Sequence, residues 1–243
     1  NNQIVGTNGE TLSMNDPRVT FYFPNFSEVH TQALGMAFRW AGLHTGEIAP
    51  LDRTQLERGL QYTSGRECLP LPLCIGQMLK ISESRKPGEI AGYYMLKGGA
   101  PCVLDAYLGF LTRFIAEQHV PDLFLFAPTE ENGRSAMDRM TLAKNSAQTL
   151  IVADLVVEIE HVLRVVGAEG SVDRLMRLWA GIAATESEAR FQDELPGFVR
   201  QITALPRIKE PQACPKVLVM GDFFTRFSPF FMDGVRDLYT RHG

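Results

Sequence analysis

"GEIAGYYMLKGGAPCVLDAYLGFLTRFIAEQHVPDLFLFAP", residues 88–128, decides the fold. It opens with a short apolar run, "GEIAGYYML" (88–96), and closes with another, "PDLFLFAP" (121–128). Both have the length and aromatic content of buried strands, bounded by Gly and Pro. Between them lie a Gly-rich turn, "KGGAPC" (97–102), and a helical stretch, "VLDAYLGFLTRFIAEQH" (103–119). A strand–helix–strand passage with short turns predicts parallel pairing.

The same rhythm extends upstream. "RVTFYFPN" (18–25) reads as a first strand ended by Pro24 and Asn25. Ser27 is the expected N-cap of a helix running to about Trp40, with Val29, Ala33, Ala37, Trp40 and Ala41 on one face. "TGEIAP" (45–50) reads as a second strand. "DRTQLERGLQYT" (52–63) reads as a short helix started by Asp52, and another helix spans roughly Pro70 to Ser82. The fold class expected is α/β: a mostly parallel, doubly wound sheet of flavodoxin or Rossmann type.

After about residue 133 the pattern changes to helices, expected over 136–167, 171–184 and 186–204, with a capping box at Thr185 to Glu188. A Pro-rich linker (205–215) follows, then a buried strand "KVLVMGD" (216–222) and a helix over 231–243. The expected organisation is an α/β domain over 1–133, a helical segment over 134–206, and over 207–243 a linker plus the βα unit of a second α/β domain or the closing element of the first. The chain starts Asn1-Asn2 without Met and stops just after this βα unit, so a piece of a longer protein is expected.

Composition narrows the function. The 243 residues carry a net charge of −4, which provides no field for nucleic acid or an anionic membrane. The most apolar stretch, Thr149 to Val166, is broken by Asp154, Glu158, Glu160, His161 and Arg164, so no transmembrane span is expected. Four cysteines are too few for a disulfide framework, and a reducing cytoplasm is the expected compartment. No P-loop, G-x-G-x-x-G or G-x-S-x-G occurs, and the histidines at 30, 44, 119, 161 and 242 look scattered.

The chemistry-bearing stretch is "TSGRECLPLPLCIGQMLK" (63–80). Its two cysteines can be core residues, a redox pair or cluster ligands. Cys68 precedes a helix that has Pro70 in its first turn, and Cys102 sits on a strand-to-helix turn. Both positions favour thiolates through the helix dipole and free N–H groups. Cys74 falls inside an apolar helix and reads as core, and Cys214 has no flanking motif. Ligands of open α/β sheets gather beyond the C-terminal strand ends. That places Gly98 and Gly99 as an anion-cradling turn and Arg226, in "FFTRFSPFF", as a partner for a carboxylate or an acidic ligand. Arg66 and Glu67 are expected to pair and hold the cysteine loop.

Together these segments resemble one family. "GRECLPLPLCIGQMLK", "GGAPCVLDAY", "KVLVMGDFFTRFSPFFMDGV" and "VTFYFPNFSEVH" are similar to segments of the large acyl-CoA dehydratase activase-related proteins. These in turn resemble 2-hydroxyglutaryl-CoA dehydratase subunits and double-cubane cluster proteins. The resemblance covers most of 18–128 and 216–243. It implies a subunit carrying a [4Fe–4S] or related cluster, with Cys68 and Cys102 in ligand roles and Cys74, a segment outside this chain or a second subunit completing the set. It further implies electrons supplied by an ATP-dependent activator module in the same or another chain, and it admits a homodimer. Val103, Asp105 and Ala106 depart from the family's second cysteine motif. A cluster-free α/β interaction or regulatory domain is the alternative, and a flavodoxin-like small-molecule binder a third reading.

Overall fold

The computed structural model describes residues 3–5, 9–95, 104–127 and 139–242. The elements in chain order are β1 (Gln3–Val5), β2 (Thr11–Ser13), β3 (Val19–Tyr22), α1 (Glu28–Trp40), α2 (Arg53–Leu60) and α3 (Pro70–Ser84). They continue with β4 (Ile90–Tyr94), α4 (Leu104–Glu117), β5 (Leu123–Phe126), α5 (Arg139–Val166), α6 (Ser171–Ala183) and α7 (Glu188–Thr203). A 3-10 turn (Pro211–Ala213), α8 (Phe223–Phe227) and α9 (Pro229–His242) complete it. The chain divides into two compact units, residues 1–25 with 41–143 and residues 26–40 with 144–243.

The first unit is α/β. Its sheet has the order β3-β4-β5 and both pairings are parallel, with Val19 opposite Ile90 and Ala91 opposite Leu123. The central strand β4 is buried along its whole length. Phe21 meets the rings of Phe124 and Phe126 edge-on, at 6.0 and 5.0 Å between centroids. Such edge-to-face pairs add to what area burial alone contributes. Gly92 lies where a Cβ would collide with the Phe124 and Phe21 rings, so the aromatic cluster requires glycine there.

Helices α2 and α3 close on each other at backbone distance. A Cβ on Gly59 would strike the Pro72 carbonyl, and one on Gly76 the Gln55 carbonyl. Asp52 caps α2 as expected, accepting from the Gln55 N–H.

The second unit is helical. Val29, Ala33 and Met36 of α1 share a core with Val156 and Val157 of α5, Leu175 and Trp179 of α6, and Phe191 and Phe198 of α7. The Trp40 indole donates to the Thr185 carbonyl at 3.0 Å.

Several sequence expectations change. "TGEIAP" contributes one parallel bridge, Thr45 to Phe21, and no strand, because Asn25 takes the Ile48 carbonyl and Pro50 has no donor. "KVLVMGD" forms no strand among the described residues: it lies exposed, without a neighbouring edge to pair with. The helix α7 is capped by Ser187, not Thr185, whose hydroxyl donates to the Ile182 carbonyl instead. The antiparallel β1–β2 pair, with Ile4 opposite Leu12, was not expected at all. No helix among the described residues is long and apolar enough to cross a membrane.

Candidate functional site

Cys68 stands exposed immediately before α3, with Pro70 as the first helical residue. The loop behind it is fixed by Glu67. That carboxylate accepts the backbone N–H groups of Ser64 and Arg66 and the Ser64 hydroxyl, at 3.0 to 3.2 Å. Its own backbone N–H, together with these bonds, holds the Glu67 carboxyl below its ordinary range. Backbone amides thus do the work expected of an Arg66 ion pair, and Gly65 supplies the positive φ of 78° that the tight turn needs.

The Cys68 carbonyl accepts twice, from the Leu71 N–H at 3.0 Å and from the buried Tyr107 hydroxyl at 3.4 Å. Tyr107 lies in the first turn of α4, so α4 begins against the cysteine loop. Cys102, Gly98 and Gly99 lie outside the described residues.

Cys74 is elsewhere, fully packed inside α3. Burial pushes its thiol up to about 11, only partly offset by the Tyr93 hydroxyl beside it. It is a protonated core thiol at neutral pH. Among the described residues no three His, Cys, Asp or Glu side chains gather as a metal site.

Next to Cys74 a buried polar network marks the C-terminal end of the sheet. Gln77 accepts from the Asn25 N–H at 3.3 Å and from the Tyr93 hydroxyl at 2.9 Å, and donates to the Asn25 carbonyl at 3.4 Å. Asn25 in turn donates to the Ile48 carbonyl at 2.7 Å. Every bond runs between unlike elements, so the network fixes the strand end rigidly.

Arg226 lies on α8, its guanidinium 4.7 Å from the centre of the Phe227 ring, and makes no ion pair with any described residue. Its Nε and the Ser228 hydroxyl are buried without a hydrogen-bond partner.

The second unit holds a constellation that the sequence did not announce. The His30 ring nitrogens lie 2.7 Å from Ser27 Oγ and 2.8 Å from Asp154 Oδ1, through Nδ1 and Nε2 respectively. A carboxylate only accepts, so Nε2 carries the proton and Nδ1 accepts from the Ser27 hydroxyl. Burial pulls the imidazole below its ordinary range against the opposing pull of Asp154, which keeps it neutral. Phe26 and Phe227 flank it, at 5.6 and 4.8 Å between ring centres. The one local signal was the Ser27-x-x-His30 spacing at a helix start. Compared with known proteins, the chain matches no family model, no curated sequence and no solved structure.

Proposed function

We propose that the chain is an iron–sulfur electron-transfer module of an acyl-CoA dehydratase/activase-type system, with Cys68 and Cys102 as thiolate ligands. The observation that carries this reading is the anchoring of the exposed Cys68 loop on Tyr107, in the first turn of the helix that follows Cys102. Tyr107 lies five positions after Cys102 in sequence, which supports the pairing of the two cysteines in this reading. Cys74 is packed inside α3 whereas Cys68 is exposed, so this reading does not rest on Cys74 as a ligand. The remaining ligands come from outside the described residues or from another chain.

When bound, the cluster supplies one-electron chemistry at low potential. The chain's own part is to hold the Cys68 sulfur at an exposed position: Glu67 sets the loop in front of α3. On this reading the partner is an ATP-dependent activator module in the same or another chain. Anaerobic reconstitution with ferrous iron and sulfide, followed by iron and sulfide analysis and visible absorption, tests the reading. Cluster bound by the chain and by Cys74→Ser, but lost in Cys68→Ser and Cys102→Ser, is the expected result. A cluster-free chain after reconstitution overturns it.

A second reading rests on a separate observation. Val217, Leu218, Val219 and Met220 are exposed, and α9 buries no side chain. A cluster-free α/β interaction domain carries such surfaces for its partner. A chain that stays colourless and iron-free after anaerobic reconstitution, with or without Cys68→Ser, selects this alternative.

A further inference from the structure

We propose that Ser27, His30 and Asp154 form an acyl-transfer site that cleaves carboxylic esters of small apolar acyl groups, with Ser27 as nucleophile. Three observations converge on it. The first is the chain of two short hydrogen bonds, Ser27 Oγ to His30 Nδ1 at 2.7 Å and His30 Nε2 to Asp154 Oδ1 at 2.8 Å. Serine–histidine–aspartate sites are recognised by such geometry and by roles, not by residue order. Here the two ring nitrogens exchange the parts they take in the familiar arrangement. The tautomer required is the one the bonds already enforce: Nδ1 is free to receive the serine proton, and Nε2–H is held by the carboxylate.

The second observation is position. Ser27 immediately precedes the 13-residue helix α1, and His30 follows one turn later, on the same side. A serine at a helix start with its base three residues on is the layout of the S-x-x-K enzymes. Free N–H groups of the first turn and the positive end of the helix dipole face negative charge developing there.

The third is the surroundings. Phe26 and Phe227 flank the imidazole, and Phe224 packs on Phe26 at 5.3 Å. This apolar wall suits a small acyl chain and keeps the imidazole in its neutral, basic form. Ser27 is only 5% exposed, so α8 covers the site and must shift for substrate to enter. The five-residue α8 and the adjoining α9, which buries no side chain, are suited to that movement.

The reaction balances with water as co-reactant. Ser27 Oγ bonds to the acyl carbon while its proton passes to His30 Nδ1, and Asp154 steadies the imidazolium. The tetrahedral intermediate collapses, the ester C–O bond breaks, and the leaving alkoxide takes the proton from Nδ1. Water then attacks the acyl-serine, giving its proton to Nδ1, and Ser27 departs reprotonated with the free acid released. Ser27 and His30 are the catalytic residues and Asp154 is a positioning residue.

The test uses the whole chain. A fluorophosphonate probe followed by peptide mass spectrometry is expected to place an adduct on Ser27, formed at least tenfold faster in Phe227→Ala. Hydrolysis of p-nitrophenyl butyrate is expected to fall a hundredfold or more in Ser27→Ala and in His30→Gln, within the range typical of a lost acid–base group. Asp154→Asn, which favours the wrong tautomer, is expected to lower kcat with KM unchanged, whereas a purely structural role leaves the kcat to KM balance alone. If neither the natural chain nor Phe227→Ala carries the adduct on Ser27, the three residues are a helix cap and the proposal is overturned.

Discussion

Strand β4 and residues 216–220 are spelled alike and end in opposite environments. "IAGYY" and "KVLVM" are both short apolar runs next to a Gly-bearing turn. The first has a parallel neighbour on each side and is buried throughout. The second has no neighbour among the described residues, and Leu218 and Met220 are each 81% exposed. The difference shows that strand preference is mostly a fit to neighbouring strands, not a property of the run itself. A Val or Leu becomes a strand residue when an edge is present to receive its N–H and C=O groups.

Hydrogen exchange probes that contrast most sharply. Ala91 N–H donates to the Asp122 carbonyl at 2.8 Å and Met95 N–H to the Phe126 carbonyl at 2.9 Å. Amides of β4 are therefore expected to exchange only on global opening, slowed by roughly a thousandfold or more for a domain of ordinary stability. Amides of 217–220 are expected to exchange near the unprotected rate. Equal protection in an NMR or mass-spectrometric time course breaks the comparison.

Matched substitutions come next. Ile90→Asp places an unpaired carboxylate in the core and is expected to cost roughly 3–5 kcal/mol in urea unfolding. Leu218→Asp is expected to stay within about 0.5 kcal/mol. A smaller contrast involves glycines in two helices. Gly76→Ala drives a methyl into the Gln55 carbonyl and is expected to lose about 1–3 kcal/mol despite alanine's better helix propensity. Gly234→Ala in α9 meets nothing within 4 Å and is expected to gain up to about 1 kcal/mol.

The smallest effect is a pH dependence in the second unit. Burial lowers the pKa values of His30 and His161 in the folded chain below the ordinary 6.5. The unfolded chain then binds protons more readily than the folded one below that pH. Their contribution is fully present above about pH 6.5 and is lost as pH falls towards the folded values. The melting temperature is expected to hold between pH 8 and 7 and to decline below 6.5, less steeply in His30→Gln. A decline that begins above pH 7.5 contradicts the assignment.

The parallel sheet was legible because each of its strands is a compact apolar run closed by Pro, Gly or Asn, and periodicity alone marks it. Helices α5, α6 and α7 fell within a few residues of their expected limits for the same reason. "TGEIAP" misled because its interior apolar residues, Ile48 and Ala49, are adjacent and do not alternate, and a side-chain bond from Asn25 decides its path. The cysteine loop was placed correctly at the head of a helix, whereas its true fastener, a carboxylate on backbone amides, leaves no pattern in sequence. His30 looked solitary because its carboxylate partner lies 124 residues away. Contacts of that span are products of tertiary packing, and only the local half, Ser27 to His30, was there to be read.

The division of the chain has a consequence for its synthesis. Helix α1 belongs with residues 144–243, although residues 41–143 are made in between. At about 5–20 residues per second, roughly 5–20 s pass before the ribosome delivers the helices that cover Val29, Ala33 and Met36. During that interval the α1 segment waits without the core that covers Val29, Ala33 and Met36. The nascent chain thus carries an uncovered apolar stretch for that time, and slowed translation of residues 41–143 is expected to lower the yield of folded chain.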